Sequence, residues 1–444
     1  MATNRLLWIL GSALILPLAG CPTAGGDDDD AAGDDDDAAG CVDEGVCTLS
    51  GTIAEDMTLT ADVAWVLRGG VFVGDDESAT TLTIEPGTTV YGESATDGML
   101  VVTRNSRLVA QGTADAPIVF TSSKSEGSRA RGDWGGIIIN GNAPINSCGA
   151  DGGDPCEAFG EGGTGWYGGD DPADDSGVLE YVRVEFAGTL LSPDNELNGI
   201  AFQGVGSGTV IDHIQIHMNA DDGIEFFGGT AQAKHVLLTG IGDDSIDWTD
   251  GWQGKLQFAV AQQYEDNGDN GIEADNNGDD NTAAPRSHPT ISNVTLIGVP
   301  GGASSDVGML LREGTAGALS NMVVTGFADA CLDVDHSETF ANVTAGDLTL
   351  TNSIVDCATP FDIEAGDDVP VDTFFGDGAG NEEGDPGLVD PFNLTTPGFK
   401  PSSTGLAATG GSAPSDAFFD AVSYRGGVDP SDDWTAGWTT SARN

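Results

Sequence analysis

The sequence predicts an all-β protein, a right-handed parallel β-helix with loop insertions, and three observations lead there. Short β-branched runs such as Leu82-Thr83-Ile84, Leu100-Val101-Val102 and Ile118-Val119-Phe120 are separated by Gly, Asp, Asn and Pro in a chain holding 66 glycines. The triplets Asn198-Gly199-Ile200, Asp222-Gly223-Ile224, Asp244-Ser245-Ile246 and Asn270-Gly271-Ile272 recur at steps of 24, 22 and 26 residues. A second series runs in step with them: Tyr181, His213, His235, Phe258, Asn293, Asn321 and Asn352 each open a comparable apolar strand. Coils of this length suit a solenoid that gains ~4.8 Å per turn, whereas propeller blades run ~40 residues or more. Residues 51–365 would then form roughly ten to twelve coils, allowing for loops. No helical periodicity of convincing length occurs beyond the amino terminus.

That terminus is a different kind of segment. Arg5 precedes a fifteen-residue apolar run that closes on Leu18-Ala19-Gly20-Cys21. The run is too short to span a membrane and reads as a signal peptide. The tetrad resembles the lipobox of bacterial lipoproteins. The resemblance implies cleavage before Cys21, lipid on Cys21 and export out of the cytoplasm, and the expected location is the outer membrane or cell surface. Residues 22–40 carry Asp27 to Asp30 and Asp34 to Asp37 between Ala and Gly, a composition that cannot bury apolar area and acts as a spacer. The expected organisation is therefore a signal peptide over 1–20, a lipidated Cys21 and Asp-rich tether over 21–40, a β-helix over 41–365, and a loop-rich extension or cap over 366–444.

Setting Cys21 aside leaves six cysteines in an exported chain, where disulfides persist. Nearness pairs Cys41 with Cys47, Cys148 with Cys156, and Cys331 with Cys357; no Cys-x-x-Cys suggests a zinc site. From Cys41 onward the chain holds 64 acids against 14 bases, a net of −50. Nucleic acid is excluded as a partner, because phosphate binding needs clustered cations. The acidity is left to two explanations, solubility in a salty medium and Ca²⁺ held between oxygen ligands.

Further likeness lies in the body. Leu82-Thr83-Ile84-Glu85-Pro86-Gly87-Thr88, Pro117-Ile118-Val119-Phe120-Thr121-Ser122 and Gly132-Asp133-Trp134-Gly135-Gly136 resemble the opening coils of many secreted bacterial β-helix proteins. Gly177-Val178-Leu179-Glu180-Tyr181 to Trp252, and the ending from Phe418-Phe419 to Trp438, are similar to envelope lipoproteins of Gram-negative bacteria and spirochaetes whose role is unassigned. The resemblance implies fold and location and supplies no catalytic residues.

Strand alternation turns Ile224, Phe226, Ile246, Trp248, Ile272 and Ala274 inward, so Glu225, Asp247 and Glu273 point outward from consecutive coils. Two like charges ~5 Å apart repel by ~1 kcal/mol in water and ~3 kcal/mol at an effective dielectric of 20. With only Lys234, Lys255 and Arg286 as cations in this stretch, bound Ca²⁺ is the expected compensation, and Asp222, Asp244, Asp266, Asp269, Asp275 and Asp279 are its candidate ligands. The alternative for the corner acids is hydrogen bonding to the backbone of each turn. The loop over 264–280 matches neither the EF-hand nor the glycine-rich nonapeptide.

If the protein is an enzyme, Glu225, Asp247 and Glu273 are its catalytic candidates, since stacked coils bring carboxylates near the ~5 Å of a retaining glycoside hydrolase. A polysaccharide lyase would also need cations against the sugar carboxylate, and the body is poor in them. His213, His235, Tyr181 and Phe258 read as an aromatic column at a coil corner, continued by an Asn293, Asn321, Asn352 ladder. Insertions over 140–177 and 189–198 interrupt the coils, and Trp166, Tyr167, Trp252 and Tyr264 are candidates for stacking on sugar rings. The expected function is a calcium-stabilised adhesion or glycan-binding rod; the alternatives are a polysaccharide lyase or glycoside hydrolase on the same acidic ladder, and a passive structural rod.

Overall fold

A computed structural model describes residues 39–42, 45–148, 153–192 and 195–444. The signal peptide, the Cys21 lipidation site and the Asp-rich tether lie outside the described residues. No helix among the described residues is long and apolar enough to cross a membrane.

The body is a right-handed parallel β-helix whose strands stack in register on three faces. Long strands such as Val210–His217, Gln232–Thr239, Lys255–Gln262 and Thr290–Ile297 each supply faces 1 and 2. Shorter strands such as Ile200–Gln203, Ile224–Phe227, Ile246–Thr249 and Ile272–Ala274 supply face 3. Parallel pairing carries Ile200 onto Ile224, Ile246, Ile272 and then Met309. These side chains, with Ile214, Val236, Ala259 and Val294 of face 2, form one continuous buried core.

Each long strand turns the corner between faces 1 and 2 at a single residue. Tyr181, His213, His235, Phe258, Asn293, Asn321 and Asn352 all hold φ between 51° and 64°. A left-handed residue opposes steric preference, which only Gly and, more weakly, Asn relieve. The aromatic members offset the strain by stacking: ring centroids lie 4.3 Å apart for Tyr181 and His213, 4.2 Å for His213 and His235, and 5.0 Å for His235 and Phe258. The asparagines bond along the ladder instead, with Asn321 Nδ2 donating to Ser292 Oγ at 2.9 Å and Asn293 Oδ1 at 3.3 Å. The column read from the repeat is thus a physical stack.

Disulfides join Cys148 to Cys156 and Cys331 to Cys357. Cys47 is also disulfide-bonded and stands directly opposite Cys41 in an antiparallel pair. Parallel pairing continues past residue 365 to Glu382–Glu383 on Ile354–Asp356. Two short helices, Ser337–Ala345 and Val371–Asp377, were not expected; nine and seven residues are too few to print a legible helical period. The second packs Val371, Phe374 and Phe375 into the carboxy-terminal end of the core.

Residues 385–444 run back along the flank of the coils as a strap. Ala407 packs on Val323 and Ile354. Farther along, Gly426 N bonds to Asn321 O, Asp420 N to Gln257 Oε1, and Thr440 N to Gln215 Oε1. The strap covers an apolar stripe on the outer side of face 2, where Phe399 and Val428 meet Leu237, Val260 and Ile297.

Candidate functional site: an acidic corner

The corner between faces 2 and 3 is built from the Asn/Asp-Gly/Ser-Ile repeat. Asp222 Oδ1 accepts the Asp244 N–H at 3.0 Å, Asp244 Oδ1 accepts that of Asn270 at 2.7 Å, and Asn270 Oδ1 accepts that of Val307 at 3.2 Å. One oxygen of each side chain therefore closes the next coil, which is why the position requires Asp or Asn. Three of the four coils follow it with glycine, where packing is close: a Cβ on Gly199 would stand 2.5 Å from Ile216 Cγ2 and 2.6 Å from Gly223 O, while the third coil carries Ser245.

The remaining oxygens converge. One ligand oxygen from each of Asp222, Asp244 and Asp247 lies within 4.8 Å of the others; Asp243, Asp244 and Asp269 form a second such group, and Asp221, Asp222 and Asp243 a third. On face 3 the register places Glu225, Asp247 and Glu273 directly over one another. Glu225 is buried and takes a 2.5 Å bond from Asn198 Nδ2. Asp247 Oδ1 is buried with no hydrogen-bond partner, as is the Oδ1 of Asn198, a residue only 5% exposed.

Burial, then the neighbouring carboxylates, pushes Asp222 and Asp247 well above the usual carboxylate range. Burial followed by repulsion from Asp244 raises Asp243 and Asp269 to about 6. A cluster that resists ionisation in this way is short of positive charge.

The expected metal ligands separate into two sets. Asp244 lies at the corner between the other two expected there, grouped with Asp222 on one side and with Asp269 on the other. Asp266 is instead paired with Arg131 at 3.0 Å, and Arg443 binds the adjacent Glu265. Asp275 is held by Arg312, whose Nε lies 3.0 Å from Asp275 Oδ1 and whose guanidinium also reaches Glu273. Asp279 is exposed in a turn with its N–H bonded to Asn277 Oδ1. The sequence reading missed Arg312, Arg131 and Arg443 as compensating cations, Asn198 as a corner donor, and Asp247 as a member of the corner group.

The aromatic candidates also divide. Trp252 is fully buried, stacked on Phe226 at 4.1 Å, and Tyr264 is fully buried against Phe186 and Met218. Tyr167 packs on Ile145 and Phe227. None of these three offers an open ring face, a correction to the sequence expectation. Trp166 is 41% exposed on the hairpin formed by Ala158–Phe159 and Trp166–Tyr167, and it meets the still more exposed Phe159 edge-on at 5.3 Å. Phe159 carried no sequence signal, because its pairing with Trp166 depends on the hairpin register.

Fold and site together define a parallel β-helix protein with a carboxylate ladder along one face. A model of the pectate-lyase-like β-helix domain matches residues 51–388, and the chain belongs to that family. Neither a curated protein nor a solved structure gives a significant match.

Proposed function

We propose that the protein is an exported, lipid-anchored envelope protein whose β-helix binds Ca²⁺ at the acidic corner and holds polysaccharide against the neighbouring insertions. The observation that carries the metal is the convergence of Asp222, Asp244 and Asp247 around an unpartnered buried carboxylate oxygen. Every donor there is oxygen, which suits a hard cation that takes six to eight oxygens, and Glu225 and Asn198 stand beside the group. Bound Ca²⁺ would supply the positive charge that the corner lacks, leaving its carboxylates ionised. Membership of a pectate-lyase-like family supports the polysaccharide reading. The exposed rings of Trp166 and Phe159 are its natural contacts with a sugar face. Cys21, the signal peptide and the tether support export and membrane attachment.

A second reading, a polysaccharide-cleaving enzyme, is favoured by one observation. Glu225 and Asp247 are neighbours on adjacent parallel strands, and burial, then the Glu225 charge, pushes the Asp247 carboxyl well above the usual carboxylate range. A protonated acid next to a second carboxyl group is the pairing that glycoside hydrolysis uses.

The test is size chromatography of residues 41–444 with a panel of acidic and neutral polysaccharides, with Ca²⁺ or with EDTA. Co-elution of intact polymer that depends on Ca²⁺ is the expected outcome. Shortened polymer establishes the enzyme instead. Absence of Ca²⁺ binding by calorimetry, with Asp244→Asn indistinguishable from wild type, overturns the metal.

A further inference from the structure

The protein has five histidines, and three of them, His213, His217 and His235, lie beneath the C-terminal strap. Trp434 meets His213 and His235 edge-on, and Trp438 meets Tyr181 and His213. His213 and His235 both direct Nδ1 at Asp212 Oδ1, at 2.8 and 2.6 Å. His217 is fully buried one turn inward of the strap's end. Its Nε2 lies 2.7 Å from the Ala442 carbonyl and its Nδ1 2.7 Å from Thr239 Oγ1. A carbonyl only accepts, so Nε2 carries the proton and Nδ1 accepts from the threonine hydroxyl. Gln215 reads the same tail through both bonds to the Thr440 backbone, donating to its carbonyl at 2.7 Å and accepting its N–H at 2.9 Å.

We propose that the end of the strap is an acid-released latch, docked by neutral His217 through Ala442 and freed from face 2 when the imidazole takes a second proton. The second proton converts Nδ1 from acceptor to donor, so the Thr239 hydroxyl must turn away. It also places a charge in a pocket already ringed by cations: Arg131, Arg183 and Arg443 all oppose it. The carboxylates on the surrounding elements are committed elsewhere. Glu185, the strand neighbour of His217, binds Arg183 and Thr121; Glu265 binds Arg443; Asp266 binds Arg131 and Arg443. The Phe186 and Tyr264 rings close two remaining sides edge-on.

Burial first, with these arginines behind it, holds His217 down at about 4 while the strap is docked, against the Ala442 bond, which by itself raises it. Undocking removes the strap's share of that burial and the Arg443 charge, and returns the imidazole toward the ordinary value of about 6.5. That value sets the upper limit of the effect, so docking is complete above that pH and weakens as pH falls toward 4. The linkage predicts docking up to about 30-fold weaker at pH 5 than at pH 7.5. Release would lift Trp434 and Trp438 from the edges of Tyr181, His213 and His235 and open that aromatic column to solvent.

Hydrogen exchange of the full-length protein, corrected for intrinsic rates, tests this at pH 5 and pH 7.5. Protection of residues 434–444 should fall by up to about 30-fold at pH 5, while the Lys255–Gln262 strand keeps its protection. His217→Gln, which can still donate to Ala442 but does not titrate, should show no such fall. Unchanged wild-type protection overturns the latch, and an equal fall in the variant assigns the effect to other groups. If the variant does not fold, exchange at the His217 C2 position reads the titration directly, and a docked midpoint near 6.5 overturns the proposal.

Discussion

Arg312 shows how one residue sets the limit of the acidic ladder. It sits where the outward column of Glu225, Asp247 and Glu273 gives way to Leu310, and it holds Glu273 and Asp275 together. Removing it leaves Glu273 and Asp275, both largely buried, without their shared counter-ion. Arg312→Gln should therefore destabilise the protein by about 2 kcal/mol at pH 8, less than a fully buried pair would cost because solvent screens part of the repulsion. The urea midpoint is the measurement, and the loss should shrink at pH 5 as carboxyls protonate; an equal loss at both pH values would point to lost packing instead. Ion pairs of this kind were illegible in the sequence. Arg312 bonds across 37 residues, Arg131 to Asp266 across 135 and Arg443 to Glu265 across 178. A count of local charges cannot see them, and so assigned Asp266 and Asp275 to metal. Trp252 failed for a related reason: beside acids in the chain, it turns inward in the coil.

Among elements, the corner column was the most legible feature because its period is imposed by the coil. A residue forced to φ near 57° in every turn leaves a recurrent Asn or aromatic in the sequence. Asn321 is, with Asn293, its most heavily bonded member. It donates to Ser292, Asn293 and the Ser412 carbonyl, and accepts the Ser412 N–H at 2.9 Å, so it ties the ladder to the strap. Asn321→Ala combines the left-handed penalty of about 1 kcal/mol with unsatisfied buried groups, for a total loss of about 3 kcal/mol. Asn321→Gly should lose roughly 1 kcal/mol less, since only the backbone strain is relieved. Thermal or urea unfolding of the pair separates the two contributions; equal losses would show that the left-handed backbone carries no cost here. The insertions and the strap were less legible, because neither repeats. Their places are decided by which apolar stripes and backbone groups the coils leave open, such as the Gln215 and His217 side chains that receive Thr440 and Ala442.

At the scale of the molecule, the acidic face makes stability depend on pH in a direction opposite to ordinary acid denaturation. Asp243 and Asp269 are raised to about 6 and Asp333, farther along the same outward column, to about 7, in each case by burial first and neighbouring carboxylates second. Asp222 and Asp247 are raised further by the same causes. A carboxyl whose folded pKa lies above its unfolded value contributes stability that is complete below the unfolded value and is lost as pH rises through the folded one. Without a divalent cation, the coils should gain stability as pH falls from 8 to 5, by a few kcal/mol in total once solvent screening is allowed for. That gain corresponds to a Tm increase of several degrees. Calcium acts on the same deficit by a different route, since a bound cation stabilises the ionised carboxylates that protons would otherwise neutralise. Saturating Ca²⁺ should thus raise Tm most at pH 8 and least at pH 5, flattening the profile measured in EDTA, and Asp244→Asn should reduce the calcium effect. Calorimetric scans at the two pH values, with EDTA and with Ca²⁺, separate the outcomes. A Tm that falls on acidification in EDTA would mean that the corner carboxylates are already compensated by the protein's own cations. A pH-dependent rise that Ca²⁺ leaves unchanged would keep the electrostatic frustration of the ladder and remove the metal from its relief.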